Sequence, residues 1–195
     1  KNLSVGEGGM TSTKNPDLAN RLASLRSHGM TSLTLDRHKG RSTTYDVSEP
    51  GINYRMDEMR AALGLVQLSK LKNGNLVRKK LTARYRENFK NTIIKIPYAT
   101  KYNEDSSAAF HILPILLPDN LDRNSIILSL KEKGIQSSIH YPAFWDFSAY
   151  KDYFNKEKTP LALSIIPNEL TLPLFPTMTI SEVDEVTSSV LEAIK

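Results

Sequence analysis

The sequence has no cysteine among its 195 residues. That excludes disulfide scaffolds, thiolate zinc sites and thiol nucleophiles, and it fits a reducing compartment. No apolar run approaches the roughly 18 residues that a membrane span needs, and there is no signal peptide. A soluble cytoplasmic protein without membrane partners is therefore expected. The glycine-rich turn at Gly6, Gly8 and Gly9 lacks the Lys-Ser/Thr ending of a P-loop and the surroundings of a dinucleotide fingerprint. His28 and His38 have no metal-ligand spacing with each other or with a carboxylate cluster, so no metal site is expected.

The hydrophobic fraction of 39% suffices for one sizeable core or two small ones. The formal net charge of +5 favours anionic partners. Nucleic acid and phosphorylated small molecules both satisfy that preference. The chain starts with Lys1, inside a motif, which reads as a truncated or processed product.

Local patterning gives the elements. Residues 3–13 read as a hairpin around the glycine turn. Asn15-Pro16 caps and opens a helix carrying Leu18, Leu22 and Leu25, with Gly29 as its stop. Residues 30–54 read as a long irregular loop with the basic cluster Arg37, His38, Lys39, Gly40 and Arg41. A second helix begins near Met56, with Met56, Met59, Leu63 and Val66 as its apolar stripe, and Asn73-Gly74 breaks it. A third covers about 76–90, with Val77, Leu81, Tyr85 and Phe89 on one face.

Beyond that point the pattern changes. Strands are predicted over 93–96, over 110–117 with Pro114 marking an edge or bulge, over 135–140 and over 170–172. A helix is predicted over 122–133 with Gly134 as its stop, and a last one from Ser181 with Asp184 as an approximate capping box. Pro167 ends any helix before it. The second half reads as a small α+β unit with a mostly antiparallel sheet.

Three stretches together carry more than their composition: KNLSVGEGGM at 1–10, YDVSEPGINYRMDEMRAALGLVQL at 45–68 and GIQSSIHYP at 134–142. RSHGM at 26–30 and LTLPLFPTMT at 170–179 follow the same order. They resemble the DegT/DnrJ/StrS family of PLP-dependent sugar aminotransferases, over the whole chain. The resemblance implies an α/β fold, the C-terminal part of the PLP-dependent transferase fold type I. Residues 1–74 would be the end of the PLP-binding large domain and residues 75–195 the small α+β domain.

The resemblance also implies roles. Lys1 matches the lysine that bonds covalently to pyridoxal 5'-phosphate; a lysine amine condenses with the cofactor aldehyde. A relative that dehydrates sugars has histidine there, so lysine argues for transamination. Asn53 matches an asparagine that reaches the cofactor phosphate of a partner subunit, which implies a homodimer with its active site at the interface. His140, Tyr141 and Pro142 match a segment lining the sugar-nucleotide site, and Arg55 is a further candidate for an anionic substrate. His111 matches a family histidine, with a structural role favoured. The implied reaction moves an amino group, with glutamate as the expected donor, to a keto group of a nucleotide-linked sugar.

Two other readings stay open at this level. One is a catalytically incompetent remnant or accessory subunit, because the cofactor groups that the family places upstream of the lysine have no counterpart in the chain. The other is a nucleic-acid module using Lys70, Lys72, Arg78, Lys79, Lys80, Arg84 and Arg86 as a basic stripe; a solvated helix face is the commoner meaning of such a stripe, and no nucleic-acid motif accompanies it.

Overall fold

The computed structural model describes residues 1–32, 38–40, 43–97, 108–150, 152–153 and 159–195. Arg37 and Arg41 of the basic cluster lie outside the described residues. The chain divides into two compact units. One is Leu3–Ser69; the other joins Lys1–Asn2 to Lys70–Lys195.

In the first unit, helix α1 (Pro16–Leu25) starts where the Asn-Pro signal places it. Asn15 Oδ1 accepts from the N–H groups of Asp17 and Leu18 at 2.9 and 3.1 Å, satisfying two otherwise orphaned donors. After α1 the chain turns through His28 and Gly29, both at positive φ. Residues 46–54 then return along it. Ile52 N–H donates to Leu25 O (2.8 Å), Tyr54 N–H to Arg26 O (2.9 Å) and His28 N–H to Ile52 O (3.0 Å). The segment expected to be irregular is thus partly paired, with bridges Ser27–Asn53 and Met30–Val47.

The hairpin expected over 3–13 does not form; no strand pairing occurs there. Glycines lose more backbone entropy on ordering than other residues. The segment lies along a helix instead: Val5 sits over Gly64, and Gln67 Nε2 donates to Ser4 O at 3.2 Å.

Helix α2 is a single element, Glu58–Phe89, of 32 residues. The break expected at Asn73-Gly74 is absent. A glycine costs a helix interior only about 1 kcal/mol relative to alanine, too little to interrupt about nine turns. Its start is set by Asp57, whose Oδ1 accepts from Arg60 N–H at 2.9 Å, so Met56 precedes the helix. The apolar stripe of its first half is exposed, with Met59 at 82% and Val66 at 51%. Leu65 and Leu68, on another side, are exposed too.

The second unit contains the main core. Strands β1 (Leu113–Leu116) and β2 (Glu169–Leu172) pair antiparallel, Leu113 opposite Leu172 and Ile115 opposite Leu170. All four side chains are essentially inaccessible. The C-terminal half of α2 contributes Leu81, Tyr85 and Phe89 to this core. Helix α3 (Arg123–Glu132) contributes Ile126 and Leu130. A short helix α4 (Pro160–Ile165) stops before Pro167, as expected. Helix α5 (Ile180–Ala193) adds Val183, Val186 and Val190.

Pro114 is tolerated because of register. Leu116 N–H points to Lys95 and Leu117 N–H to Asn168, so alternate residues face opposite neighbours. The missing N–H of Pro114 falls on the Lys95 side, where among the described residues the pairing is one bridge, Lys95–Leu116. The other expected strands shrink for local reasons. Ile94 N–H is taken by Thr92 Oγ1 (3.2 Å), a side-chain competitor for the ladder. In 135–140 only Ser138 pairs, with Thr171, since His140 N–H turns to the Glu169 carboxylate. The last capping box is Thr179 with Glu182, not Ser181 with Asp184. The Asp184 carboxylate instead accepts from Arg84 Nε and Nη2 and from Asn88.

Candidate active site

Lys1 carries a primary amine with 3.4 Å between its Nζ and Tyr141 Oη. The backbone beneath it is fixed through Asn2. The Asn2 amide nitrogen donates to Asn75 Oδ1 on α2 and to Ala109 O, both at 2.7 Å. Its Oδ1 faces His111 Nδ1 at 2.7 Å. A backbone carbonyl only accepts, so the Ala109 contact fixes which end of the amide is nitrogen; Oδ1 then accepts, and His111 carries its proton on Nδ1. His111 is anchored in turn: Arg78 donates from Nη1 to His111 O (3.0 Å) and to Leu174 O (2.6 Å). Burial, then the positive charges of Lys1 and Arg78, hold the His111 imidazolium pKa below its usual value.

A cis peptide bond joins His140 to Tyr141, and their rings stand edge to face with centroids 4.8 Å apart. His140 N–H donates to Glu169 Oε2 (2.9 Å), and His140 Nδ1 lies 3.0 Å from Thr171 Oγ1. The Thr171 hydroxyl donates to Glu169 Oε1. Pro142 is exposed, while Ala143 after it is buried. Arg78, His111, His140 and Thr171 stand in the wall of an open cleft of about 610 Å³.

Lys1, His140 and Tyr141 are therefore close together in one unit. Asn53 and Arg55 belong to the other, where Arg55 Nε donates to Asn53 Oδ1 at 3.1 Å. Asn53 itself is held by backbone pairing on both sides, through Ile52 and Tyr54. Close approach of Gly51 to Gly29 makes this possible. A Cβ on Gly51 would stand 2.3 Å from Gly29 N and 2.7 Å from Leu25 O.

The basic stripe suggested for nucleic acid is partly used up within the fold. Arg78 serves two carbonyls, and Arg84 pairs with Asp184 at 2.7 Å. Among the described residues, no group of three His, Asp or Glu side chains is arranged to hold a metal ion.

The model of the DegT/DnrJ/EryC1/StrS aminotransferase family matches residues 1–191. The chain belongs to that family. It is 30% identical to the spore coat polysaccharide biosynthesis protein SpsC of Bacillus subtilis, over all of this chain and 51% of SpsC. The solved structure of Spr1654 from Streptococcus pneumoniae, in its PMP form, superposes with a TM-score of 0.87 at 29% identity, covering 99% of this chain and 50% of that one. Helicobacter pylori PseC, an aminotransferase involved in the biosynthesis of pseudoaminic acid, shares the fold at a TM-score of 0.80 and 24% identity, over 93% and 47% of the two chains. The chain spans about half the length of the curated relatives it matches. Membership carries the α/β aminotransferase fold with it.

Sequence reasoning passed over Asn2, Asn75, Glu169 and Thr171, and gave His111 a structural role only. Asn2 had one signal, adjacency to the lysine. The others are brought in from 29 to 109 positions away by the β1–β2 ladder and α2, which no local pattern reports.

Proposed function

We propose that the protein carrying this chain is a pyridoxal-phosphate-dependent aminotransferase that moves an amino group from glutamate to a keto group of a nucleotide-linked sugar. The observation that carries this reading is Lys1: a primary amine beside the Tyr141 hydroxyl, on backbone fixed by three side-chain bonds of Asn2. A covalent link to an aldehyde asks for such an amine on an immobile base. Asn53 suits the other end of the cofactor. Its Oδ1 accepts from Arg55, and an amide N–H is a neutral donor of the kind a phosphate oxygen takes. The residues present thus fit pyridoxal phosphate at its aldehyde and its phosphate. When bound, it supplies the aldehyde and a ring that takes up an electron pair.

The chain's own contributions are as follows. Lys1 Nζ would hold the cofactor and, as a free amine, would take the proton from the amino-acid α-carbon and deliver it to the carbon of the former cofactor aldehyde. Tyr141 orients that amine. His140, Tyr141 and Pro142 line the sugar side, and Arg55 adds charge for an anionic substrate. Asn53 serves the cofactor of a second subunit, so the working form is a homodimer in the cytoplasm. Residues 1–74 belong to the large domain and 75–195 to the small one. SpsC, by its name, acts in polysaccharide biosynthesis, which supports a sugar substrate.

The test uses the full-length gene product, supplied with glutamate and a nucleotide-linked keto sugar. Formation of 2-oxoglutarate with an aminated sugar nucleotide is expected, and its loss in Lys1→Ala. Full turnover by Lys1→Ala would refute the assignment of Lys1.

A further inference from the structure

We infer that Glu169 and Thr171 are positioning residues that fix the tautomer of His140, so that His140 accepts a hydrogen bond from a substrate hydroxyl instead of donating one. The inference rests on the sugar-transaminase reading for the identity of the substrate, and on hydrogen-bond direction for the rest.

The chain of donors starts from one fixed point. His140 N–H is a backbone donor, so Glu169 Oε2 accepts. Glu169 is buried, with 7% exposure, and both its carboxyl oxygens serve as acceptors. The Thr171 hydroxyl therefore donates to Glu169 Oε1. A hydroxyl has one proton. With it committed to Glu169, Thr171 Oγ1 can only accept from His140 Nδ1, 3.0 Å away. Nδ1 then carries the ring proton, and neutral His140 presents Nε2 as a lone pair. Ser138 Oγ also faces Nδ1, but at 3.5 Å, the outer limit of a hydrogen bond.

The scaffold holds this direction firmly. Thr171 exchanges both backbone bonds with Ser138 (2.8 and 3.1 Å) and sits opposite Pro114 in the ladder. His140 stands in the wall of the open cleft. A lone pair there suits a sugar hydroxyl, which is a donor. It disfavours a carboxylate or phosphate oxygen, which would need the Nε2–H form. The pair thus makes His140 a reader of the sugar and not of its anionic groups.

The experiment reads the His140 ring directly, by two-bond proton–nitrogen correlations in the cofactor-loaded, full-length gene product near neutral pH. Wild type and Thr171→Ser are expected to show the proton on Nδ1. Thr171→Val keeps the shape and removes the acceptor, so the Nδ1–H form should lose its dominance. Glu169→Gln offers one acceptor oxygen in place of two. With that oxygen kept by His140 N–H, its amide nitrogen donates to Thr171, whose proton turns to Nδ1, and the ring should switch to Nε2–H. In turnover, Thr171→Val should raise KM for the sugar nucleotide about tenfold with little change in kcat, and Thr171→Ser should restore it. A wild-type ring protonated on Nε2, or an unchanged tautomer in both Thr171→Val and Glu169→Gln, overturns the inference. A tautomer that behaves as expected in a protein without transaminase turnover would refute the proposed function and leave the positioning role standing.

Discussion

Replacing Gly51 with alanine is expected to loosen the segment that presents Asn53. The added Cβ would lie 2.3 Å from Gly29 N, 2.5 Å from His28 C and 2.7 Å from Leu25 O. All three are backbone atoms, so no side chain can swing aside. An ordinary contact needs about 3.4 Å or more, so the two segments must separate by roughly an ångström. That movement falls on the bonds from Ile52 N–H to Leu25 O, from His28 N–H to Ile52 O and from Tyr54 N–H to Arg26 O. At about 0.5–1.5 kcal/mol each, their loss amounts to about 2–4 kcal/mol. Gly9→Ala is the control, since a Cβ there meets nothing within 4 Å, and a change within about 0.5 kcal/mol is expected. Urea denaturation gives the stability, and amide hydrogen exchange at Ile52 and Tyr54 locates the effect. A Gly51→Ala protein as stable as the Gly9→Ala control, with both amides still protected, would refute the packing argument.

Other outcomes follow from single contacts. Tyr85 is fully buried and donates its hydroxyl to Pro173 O at 3.0 Å; Tyr85→Phe should cost about 1 kcal/mol in urea denaturation, the net worth of one buried hydrogen bond. Arg84, then Asn88, hold the Asp184 carboxyl at a pKa of about 2, below the unfolded value near 3.9. The sign is set by the unfolded chain, which takes up the proton first. The contribution is therefore complete above about pH 4 and is lost as pH falls toward about 2. Denaturation midpoints followed over that window should fall in the wild type and fall less in Asp184→Asn. Equal slopes would mean that the pairing with Arg84 contributes nothing.

Much of the architecture was legible in the residues. Asn15-Pro16 gave the start of α1, Ile126 and Leu130 the buried face of α3, and Gly134 its end, because each depends on neighbours three or four positions away. What failed depends on distant partners. Asn73-Gly74 reads as a breaker locally, yet α2 continues through it. The stripe of Met59, Leu63 and Val66 reads as a core face, but the described residues leave it exposed, and apolar periodicity does not say what covers it. Ser181 and Asp184 resembled a cap until Arg84, 100 positions earlier, claimed the aspartate. The site shows the same division. Lys1 stood out through its motif, and His140 and Tyr141 through theirs. Thr171 and Glu169 read as ordinary strand residues; the β1–β2 ladder and the Ser138–Thr171 bridge bring them to His140.

The central claim is that Lys1 Nζ is the atom that bonds to the cofactor. Borohydride reduction of the full-length, cofactor-loaded gene product, followed by proteolysis and peptide mass mapping, tests it most directly. The account predicts a reduced phosphopyridoxyl group on Lys1 and loss of the cofactor's visible absorbance in Lys1→Ala. A label on another lysine, or a Lys1→Ala protein that still forms a reducible link, would contradict it.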